Sequence, residues 1–525
     1  MIKKILAGNE MIVYEDKDWL AVNKPTGLST HAARAGDLGM AEWLGLHLER
    51  QLHICSRLDK GTSGILLFAR NRGASRSAQR IHEQQQAEKT YHFLSDKSYK
   101  GLKRRDTSWK VEEPLDGKEC STRFRLIRSG NGYYCYEAVI RRGRTHQIRQ
   151  HAALSGVPLV GDDIYGGQPF GRLCLHCSRL SWPGIEEDLA VSLPDSFQLL
   201  LQGKSRLIVD GAVCWERRLG WPGLISNSYR LVHRGELELP VSIDLYDSYL
   251  SITGFKQEFH SRQLQQKLQP VLDYLGSKVK WRGAILRQHV QNPHREKLIH
   301  DVICWGEQIP EQIVAREHNR LFEVNLNDSQ HIGLFLDQRD SRKRVENEAG
   351  AKRVANLFSF TCSFSVAALT GGAEVVFSVD LAGSALQRGK TNFAMNGLDQ
   401  SGRGKFVRED VCKWLSRQER KYTAHPEDFA FWDLIICDPP VYASSGKGRG
   451  FHVEKQWPEL VRQVRLILAD KGKALFANNH RSGKPAYYLG ELQKHFSTVT
   501  QLSPPLDFPT IEYQPEHVRI YWCEV

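Results

Sequence analysis

Arg57-Leu58-Asp59-Lys60-Gly61-Thr62-Ser63-Gly64 runs directly into Ile65-Leu66-Leu67-Phe68-Ala69-Arg70. The second half is apolar over strand length and predicts a buried strand, and the Gly-Thr-Ser-Gly ahead of it predicts a tight loop. Asp59 then sits on a loop at the mouth of a sheet. Arg57 and Lys60 flank it, and nearby cations favour the ionised carboxylate. Such a carboxylate can serve as nucleophile, base or metal ligand. A loop Asp can equally be satisfied by its own turn, and this stretch alone leaves those alternatives open.

Working outward, 525 residues suffice for two or three domains, and 41% hydrophobic content lets each bury a core. No apolar run reaches membrane-spanning length. Lys3-Lys4 is followed only by Ile5-Leu6-Ala7 before Asn9-Glu10. Neither a membrane anchor nor a signal peptide is therefore expected, and the reading is a soluble, cytoplasmic protein. A formal net charge of +12 favours a polyanionic partner, most simply nucleic acid. The 11 cysteines are scattered and odd in number, which suits reduced thiols. Cys174-Leu175-His176-Cys177 has zinc-knuckle spacing, but a structural site needs four ligands and no second pair lies nearby. These are read as core residues, with no metal expected.

Five further segments set the opening stretch in context. They are Ile12-Val13-Tyr14-Glu15-Asp16, Ala21-Val22-Asn23-Lys24-Pro25-Thr26-Gly27-Leu28, Lys89-Thr90-Tyr91, Gly143-Arg144-Thr145-His146-Gln147-Ile148-Arg149 and Gly161-Asp162-Asp163-Ile164-Tyr165-Gly166. In that order, with the Asp59 stretch, they resemble the RluA family of pseudouridine synthases. The resemblance implies an α+β domain with a mixed sheet over residues 1–201. Pseudouridine synthesis breaks a glycosidic bond and rejoins the ring through carbon, so it needs a nucleophile and a base drawn out of the stack. By the resemblance Asp59 is that nucleophile, Tyr91 stacks on the flipped uracil and Arg149 pairs with Asp59. Arg57, Arg144 and His146 are then expected to bind the substrate. Ser56 stands where the family usually has His. The residues themselves add a hairpin, 121–127 with 133–140 around Ser129-Gly130-Asn131-Gly132. Arg141, Arg142, Arg144 and Arg149 give a basic rim suited to phosphates.

After a polar break at Gly203-Lys204-Ser205, residues 231–236, 239–244 and 249–252 read as consecutive strands. Residues 259–276 carry apolar side chains at helical spacing. This resembles the small α/β domain that precedes the catalytic domain in a family of large-subunit rRNA methyltransferases. Residues 205–320 are accordingly expected to form a linking, RNA-binding domain.

From Phe322 the pattern changes again. Gly333-Leu334-Phe335-Leu336-Asp337-Gln338-Arg339-Asp340-Ser341-Arg342 is followed by Val354-Ala355-Asn356-Leu357-Phe358-Ser359-Phe360-Thr361, a strand feeding a helix at 363–369. Val375-Val376-Phe377-Ser378-Val379-Asp380 is a second strand, ending in an acid at the spacing of a βαβ nucleotide site. Glu409-Asp410 follows Lys405-Phe406-Val407, and Asp433-Leu434-Ile435-Ile436-Cys437-Asp438-Pro439-Pro440 supplies another strand and a loop. A Gly-x-Gly-x-x-Gly turn is missing, which speaks against an NAD site. The segments resemble a Rossmann-like α/β methyltransferase dependent on S-adenosylmethionine, over residues 321–525. The resemblance implies that Gln338, Arg339, Asn356, Phe358, Thr361, Asp380, Asp410, Asp438 and Pro439 bind that cofactor and that Asp438 is also catalytic. Cys362-Ser363 stands where relatives often carry glycine after the Thr.

Carbon methylation of cytosine needs a Cys nucleophile. The cytosine-specific relatives carry theirs in a late strand, where this chain has Phe476-Ala477-Asn478-Asn479-His480-Arg481. Asn478-Asn479 resembles instead the branch that makes 7-methylguanosine, and a ring nitrogen needs only alignment with the methyl group. Asp438, Tyr442, Asn478 and Asn479 are expected around the guanine. Residues 444–450 are Gly-rich without phosphate-loop spacing and read as a mobile basic lid over RNA. The expectation is a bifunctional RNA-modifying enzyme acting on 23S-type rRNA, with no obligate protein partner evident. Two alternatives stand beside it: a pseudouridine synthase whose second half is an RNA-binding platform, and a non-catalytic ribosome-assembly factor.

Overall fold

The computed structural model describes residues 11–101, 107–255, 261–288, 302–328, 332–443, 450–480, 483–509 and 518–525. The N-terminal region forms a ten-stranded mixed sheet. Its centre is Ser63–Ala69, buried at every position, antiparallel to Trp19–Lys24 and parallel to Leu175–Ser181. Glu88–Ser95, Tyr133–Ile140, Thr122–Gly130 and Ser108–Val111 extend the sheet antiparallel. The expected hairpin closes through Asn131 and Gly132, both at positive φ, as a two-residue turn between twisted strands requires. The strand begins at Ser63, so the loop expected through Gly64 is two residues shorter. Gly64 pairs with Cys177, which on its other side pairs with Tyr91. A side chain at Gly64 would place its Cβ 2.2 Å from the Cys177 carbonyl oxygen. Glycine there is what lets the strands close and sets Tyr91 level with the Asp59 loop.

The central region is a five-stranded sheet of Ser228–Val232, Val241–Tyr246, Tyr249–Gly254, Gly283–Gln288 and Ile303–Gly306. Helix Ser261–Gly276 links the parallel pair Tyr249–Gly254 and Gly283–Gln288 and buries Leu264, Leu268, Val271, Leu272 and Leu275. The expected helix start at 259–260 lies outside the described residues. The strand expected at 231–236 is corrected: it ends at Val232. Glu236 accepts from Arg217 and Arg218 and from the His233 N–H, which folds 233–236 into a turn. A hairpin of Ile313–Glu317 and Arg320–Val324 crosses the boundary expected between residues 320 and 321.

The C-terminal sheet has seven strands: β1 (Arg353–Leu357), β2 (Val375–Asp380), β3 (Gly404–Arg408), β4 (Trp432–Cys437), β5 (Leu468–Asn478), β6 (Thr498–Leu502) and β7 (Arg519–Glu524). Their spatial order is β3-β2-β1-β4-β5-β7-β6. The first five are parallel, and β7 runs antiparallel to both neighbours. The order reverses between β1 and β4, which opens a crevice at their carboxyl ends.

Buried polar contacts join the regions. His47 Nε2, on helix Met40–Leu48, lies 3.0 Å from Asp340 Oδ1 on helix Arg339–Glu348, and its Nδ1 lies 3.1 Å from His318 Nε2. Burial, with His47 beside it, pushes His318 down to about 3. The Asp507 carboxylate accepts from Arg339 and from the Arg230 N–H, and its carbonyl accepts from Arg218. Trp221 Nε1 donates to the Asn23 carbonyl at 3.1 Å. Among the described residues, no helix is long and apolar enough to cross a membrane.

Candidate active sites

Asp59 lies in the loop before Ser63–Ala69. Its backbone carbonyl, not its carboxylate, closes the local turn by accepting the Thr62 N–H at 3.0 Å. The carboxylate is about one-third exposed and faces His146 Nε2 and Arg149 Nη1, each 3.8 Å from Oδ2. The expected pairing of Arg149 with Asp59 is therefore a loose one. Arg149 gives Nε and Nη2 to Asp162, both at 2.7 Å. Burial alone would raise the Asp162 carboxyl, but the Arg149 bonds outweigh it and hold it below the usual range. Asp162 also accepts the N–H groups of Ile164 and Tyr165. Asp162 is thus the residue that aims Arg149, a role that neither its position nor the adjacent Asp163 signals in the sequence.

Tyr91 is buried, and burial together with Cys177 raises its phenol well above the ordinary value, so the hydroxyl keeps its proton. His146 adopts a left-handed backbone at the start of helix Gln147–Leu154 and sets Nδ1 3.2 Å from the Tyr165 hydroxyl. Arg57 is exposed and Arg144 half-buried. Cys174, His176 and Cys177 are core residues, with His176 Nδ1 2.8 Å from Ser63 Oγ.

The Asp59 loop is held from behind by residues 24–30. Thr26 Oγ1 donates to the Gly61 carbonyl at 2.7 Å, the Gly27 N–H to Lys60 at 2.9 Å, and Thr30 Oγ1 exchanges two 3.0 Å bonds with the Leu58 main chain. Lys24, fully buried, donates to the carbonyls of Pro25 and Leu28. Burial pushes its ammonium down to about 7, with Asp59 acting in the opposite sense.

The second set of residues gathers at the carboxyl ends of β1 to β4. Asp380, ending β2, accepts the Phe360 and Ala382 N–H groups at 2.8 Å and so clamps the loop after β1. That loop turns through left-handed backbone at Phe358, Phe360 and Cys362. Non-glycine residues reach this region at a cost and persist only where surroundings enforce it. Cys362 is fully buried, and a Cβ added to Gly389 would lie 2.5 Å from its sulfur. Gly389 thus supplies the space that keeps the Cys362 side chain in the interior rather than over the loop. Asp410 caps helix Val411–Ala424 by accepting the Lys413 N–H at 3.0 Å. Asp438 and Pro439 follow β4. The half-buried Asp438 carboxyl is pushed up to about 7 by burial and by Asp337, with Arg342 opposing.

Four residues expected at the cofactor, Gln338, Arg339, Asn356 and Thr361, are buried in the structure. Arg339 is bound to Asp507, because a buried guanidinium requires a buried carboxylate. Asn356 donates to Ser365 Oγ at 2.9 Å, and the Thr361 hydroxyl donates to the Gly333 carbonyl at 2.6 Å. Gln338 is buried at the start of helix Arg339–Glu348. The guanine set also separates. Asn478 is buried and its Oδ1 accepts the His480 N–H at 2.7 Å, whereas Asn479 lines a cavity between the central and C-terminal sheets. Tyr442 is 65% exposed on a two-stranded ribbon with Phe451–His452. The expected lid, apart from Gly450, lies outside the described residues.

Comparison with known proteins matches these two regions separately. The sequence model of the RNA pseudouridylate synthase family matches residues 18–154, and that of the S-adenosylmethionine-dependent methyltransferase family matches residues 234–516. A ribosomal RNA large subunit methyltransferase K of Neisseria meningitidis is 38% identical over 202 residues, which is 38% of this chain and 54% of that protein. A candidate ribosomal RNA large subunit methyltransferase of Bacillus subtilis is 32% identical over 287 residues, 53% of this chain and 68% of that protein. The chain therefore spans about half to two-thirds of these two relatives. A candidate methyltransferase crystallised with SAH shares the fold, with a TM-score of 0.51 at 24% identity, over 65% of this chain and 86% of that one.

Proposed function

Because the chain belongs to the S-adenosylmethionine-dependent methyltransferase family and carries an RNA pseudouridylate synthase domain ahead of that match, we propose that it is a bifunctional RNA-modifying enzyme. It isomerises uridine to pseudouridine at Asp59 and methylates a guanine at N7 in the C-terminal crevice, on large-subunit rRNA. The observation that carries the first activity is the Asp59 carboxylate, left out of its own turn and set between Arg149, His146 and the neutral phenol of Tyr91. Asp59 attacks the uridine, Tyr91 stacks on the flipped base, and Arg149, aimed by Asp162, attracts the carboxylate across 3.8 Å. Arg57, Arg144 and His146 meet the RNA. The net charge of +12 and the names of the relatives favour ribosomal RNA as the substrate. We divide the chain into a synthase domain over 1–201, a linking domain from 205 and a methyltransferase domain reaching 525.

The crevice fits the cofactor. On this reading Asp380, at the end of β2, binds the ribose and Asp410, which follows β3, meets the adenine. The left-handed loop at 358–362 presents main chain rather than the Cys362 side chain. Phe358 and Pro439 add apolar walls, and Asp438 orients the base. S-adenosylmethionine, when bound, supplies an electrophilic methyl group that a ring nitrogen accepts through its lone pair without losing a proton. Calorimetric titration of the full chain with S-adenosylmethionine should show one site. Absence of binding would favour the platform reading.

Gly389→Ala tests the loop itself. The added methyl drives against the Cys362 sulfur, and overpacking of this kind costs about 1–3 kcal/mol. Cofactor affinity is expected to fall roughly 5- to 150-fold, and Cys362→Gly in the same chain is expected to restore it. An unchanged affinity in the single variant would mean that the loop is not the cofactor site.

A further inference from the structure

Between the central sheet and the C-terminal crevice lies a cavity of about 340 Å³, within the roughly 300–1,000 Å³ of small-molecule sites. One wall comes from the segment ahead of helix Arg339–Glu348 and carries Phe335 and Asp337, and Asn479 adjoins it just past the end of β5. The opposite wall belongs to the central region and includes Arg234 and Phe255. The first wall is fastened to the loop after β1: Thr361 donates to the Gly333 carbonyl at 2.6 Å, and the Phe335 and Phe360 rings lie 5.4 Å apart. Asp337 and Asp438 are near enough that Asp337 helps raise the Asp438 carboxyl. The cavity therefore opens beside the residues that follow β1 and β4, where transfer would occur.

Its chemistry is selective. Phe335 is 56% exposed, an unusual state for a large aromatic ring and the one a base-stacking platform requires. The Arg234 guanidinium lies 4.5 Å over the Phe255 ring, and guanidinium groups recognise phosphate. Asp337 is half-buried and acceptor-only when ionised, whereas the Asn479 amide both donates and accepts. Of the four bases, guanine alone presents adjacent ring N–H and amino donors beside an acceptor oxygen. Among the described residues that line the cavity there is no cysteine, as expected of a site that needs no carbon-directed nucleophile.

We propose that this cavity is the target-base site of methyl transfer, with Phe335 stacking on the guanine, Asp337 accepting its N1–H and 2-amino hydrogens, Asn479 donating to O6, and Arg234 meeting the adjoining phosphate. The proposal rests on the guanine-N7 reading above. The central region then forms half of the substrate site rather than serving only as a tether.

The test uses the full chain, S-adenosylmethionine and an unmodified large-subunit rRNA transcript, with the methylated nucleoside mapped first. Phe335→Ala and Asp337→Asn are expected to lower kcat/KM for methylation about 10- to 100-fold, with pseudouridine yield and melting temperature unchanged. Arg234→Ala should raise KM and lower the salt slope by about one. Inosine at the mapped guanosine, which lacks the 2-amino group, should slow wild-type enzyme but cost Asp337→Asn little further. Guanosine methylation by wild type with all three variants unimpaired would overturn the cavity assignment alone. Methylation of a different base by wild type, or none, would overturn the guanine reading and this assignment with it.

Discussion

Asp59→Asn is expected to remove pseudouridine formation by at least about 1,000-fold, as loss of a covalent nucleophile does, while methylation by the same preparation continues at its wild-type rate. The variant is nearly isosteric and the Asp59 carboxylate is not part of the turn it sits on, since the carbonyl accepts the Thr62 N–H. Residues 24–30 also hold 58–61 through main-chain groups of the loop rather than through the Asp59 side chain. The substitution should therefore leave the fold alone and act on chemistry. Arg149 keeps its bidentate bond to Asp162 in the variant, so the pocket is not opened by the change. Pseudouridine at wild-type yield from Asp59→Asn would make another group the nucleophile.

Asp507→Ala should be the most destabilising substitution in the joint between regions. Asp507 and Arg339 are each about 99% or more buried, and deleting one partner of a buried pair costs roughly 3–5 kcal/mol because the other charge is stranded. The Arg230 N–H loses its acceptor as well. Against a total stability of about 5–15 kcal/mol, this is a large fraction, and a clear fall in melting temperature is expected. Methylation should fail at a lower temperature than in wild type, since Arg339 begins the helix that leads away from the Asp337 wall. The double variant Asp507→Leu with Arg339→Met should recover part of the loss. It cannot recover all, because a buried N–H left without an acceptor costs about 1–3 kcal/mol. An unchanged melting temperature for Asp507→Ala would show that the pair is not formed in solution.

The local elements were legible in the chain because each is specified within a few residues. The apolar run after Gly64, the Asn131-Gly132 turn and the strand-to-acid spacing that ends at Asp380 all appear where their patterns place them. What could not be read was the choice of partner across long separations. Arg339 and Asp507 are 168 positions apart, and nothing in the GLFLDQR wording distinguishes a cofactor-facing Arg from one turned into a domain joint. The same holds for Arg149, whose spacing suits Asp59 although its fork is filled by Asp162. Cys362 stands at a position where relatives often carry glycine, and only the packing against Gly389 shows where its sulfur goes. Residues 233–236 read as strand because their pattern is extended, but the demand of Arg217 and Arg218 for a carboxylate turns them into a loop. The cavity at the central seam had no sequence signal of its own, since its walls come from separate stretches of the chain, 230–255, 332–337, 479 and 504–518.

The central claim, two separate RNA modifications by one chain, is tested most directly by nucleoside mass spectrometry. Unmodified large-subunit rRNA transcript is incubated with the full protein, with and without S-adenosylmethionine. The account predicts pseudouridine in both samples and 7-methylguanosine only in the one with the cofactor. Pseudouridine without any methylated base would contradict the bifunctional reading, and a methylated base other than guanine would contradict the assignment of the acceptor.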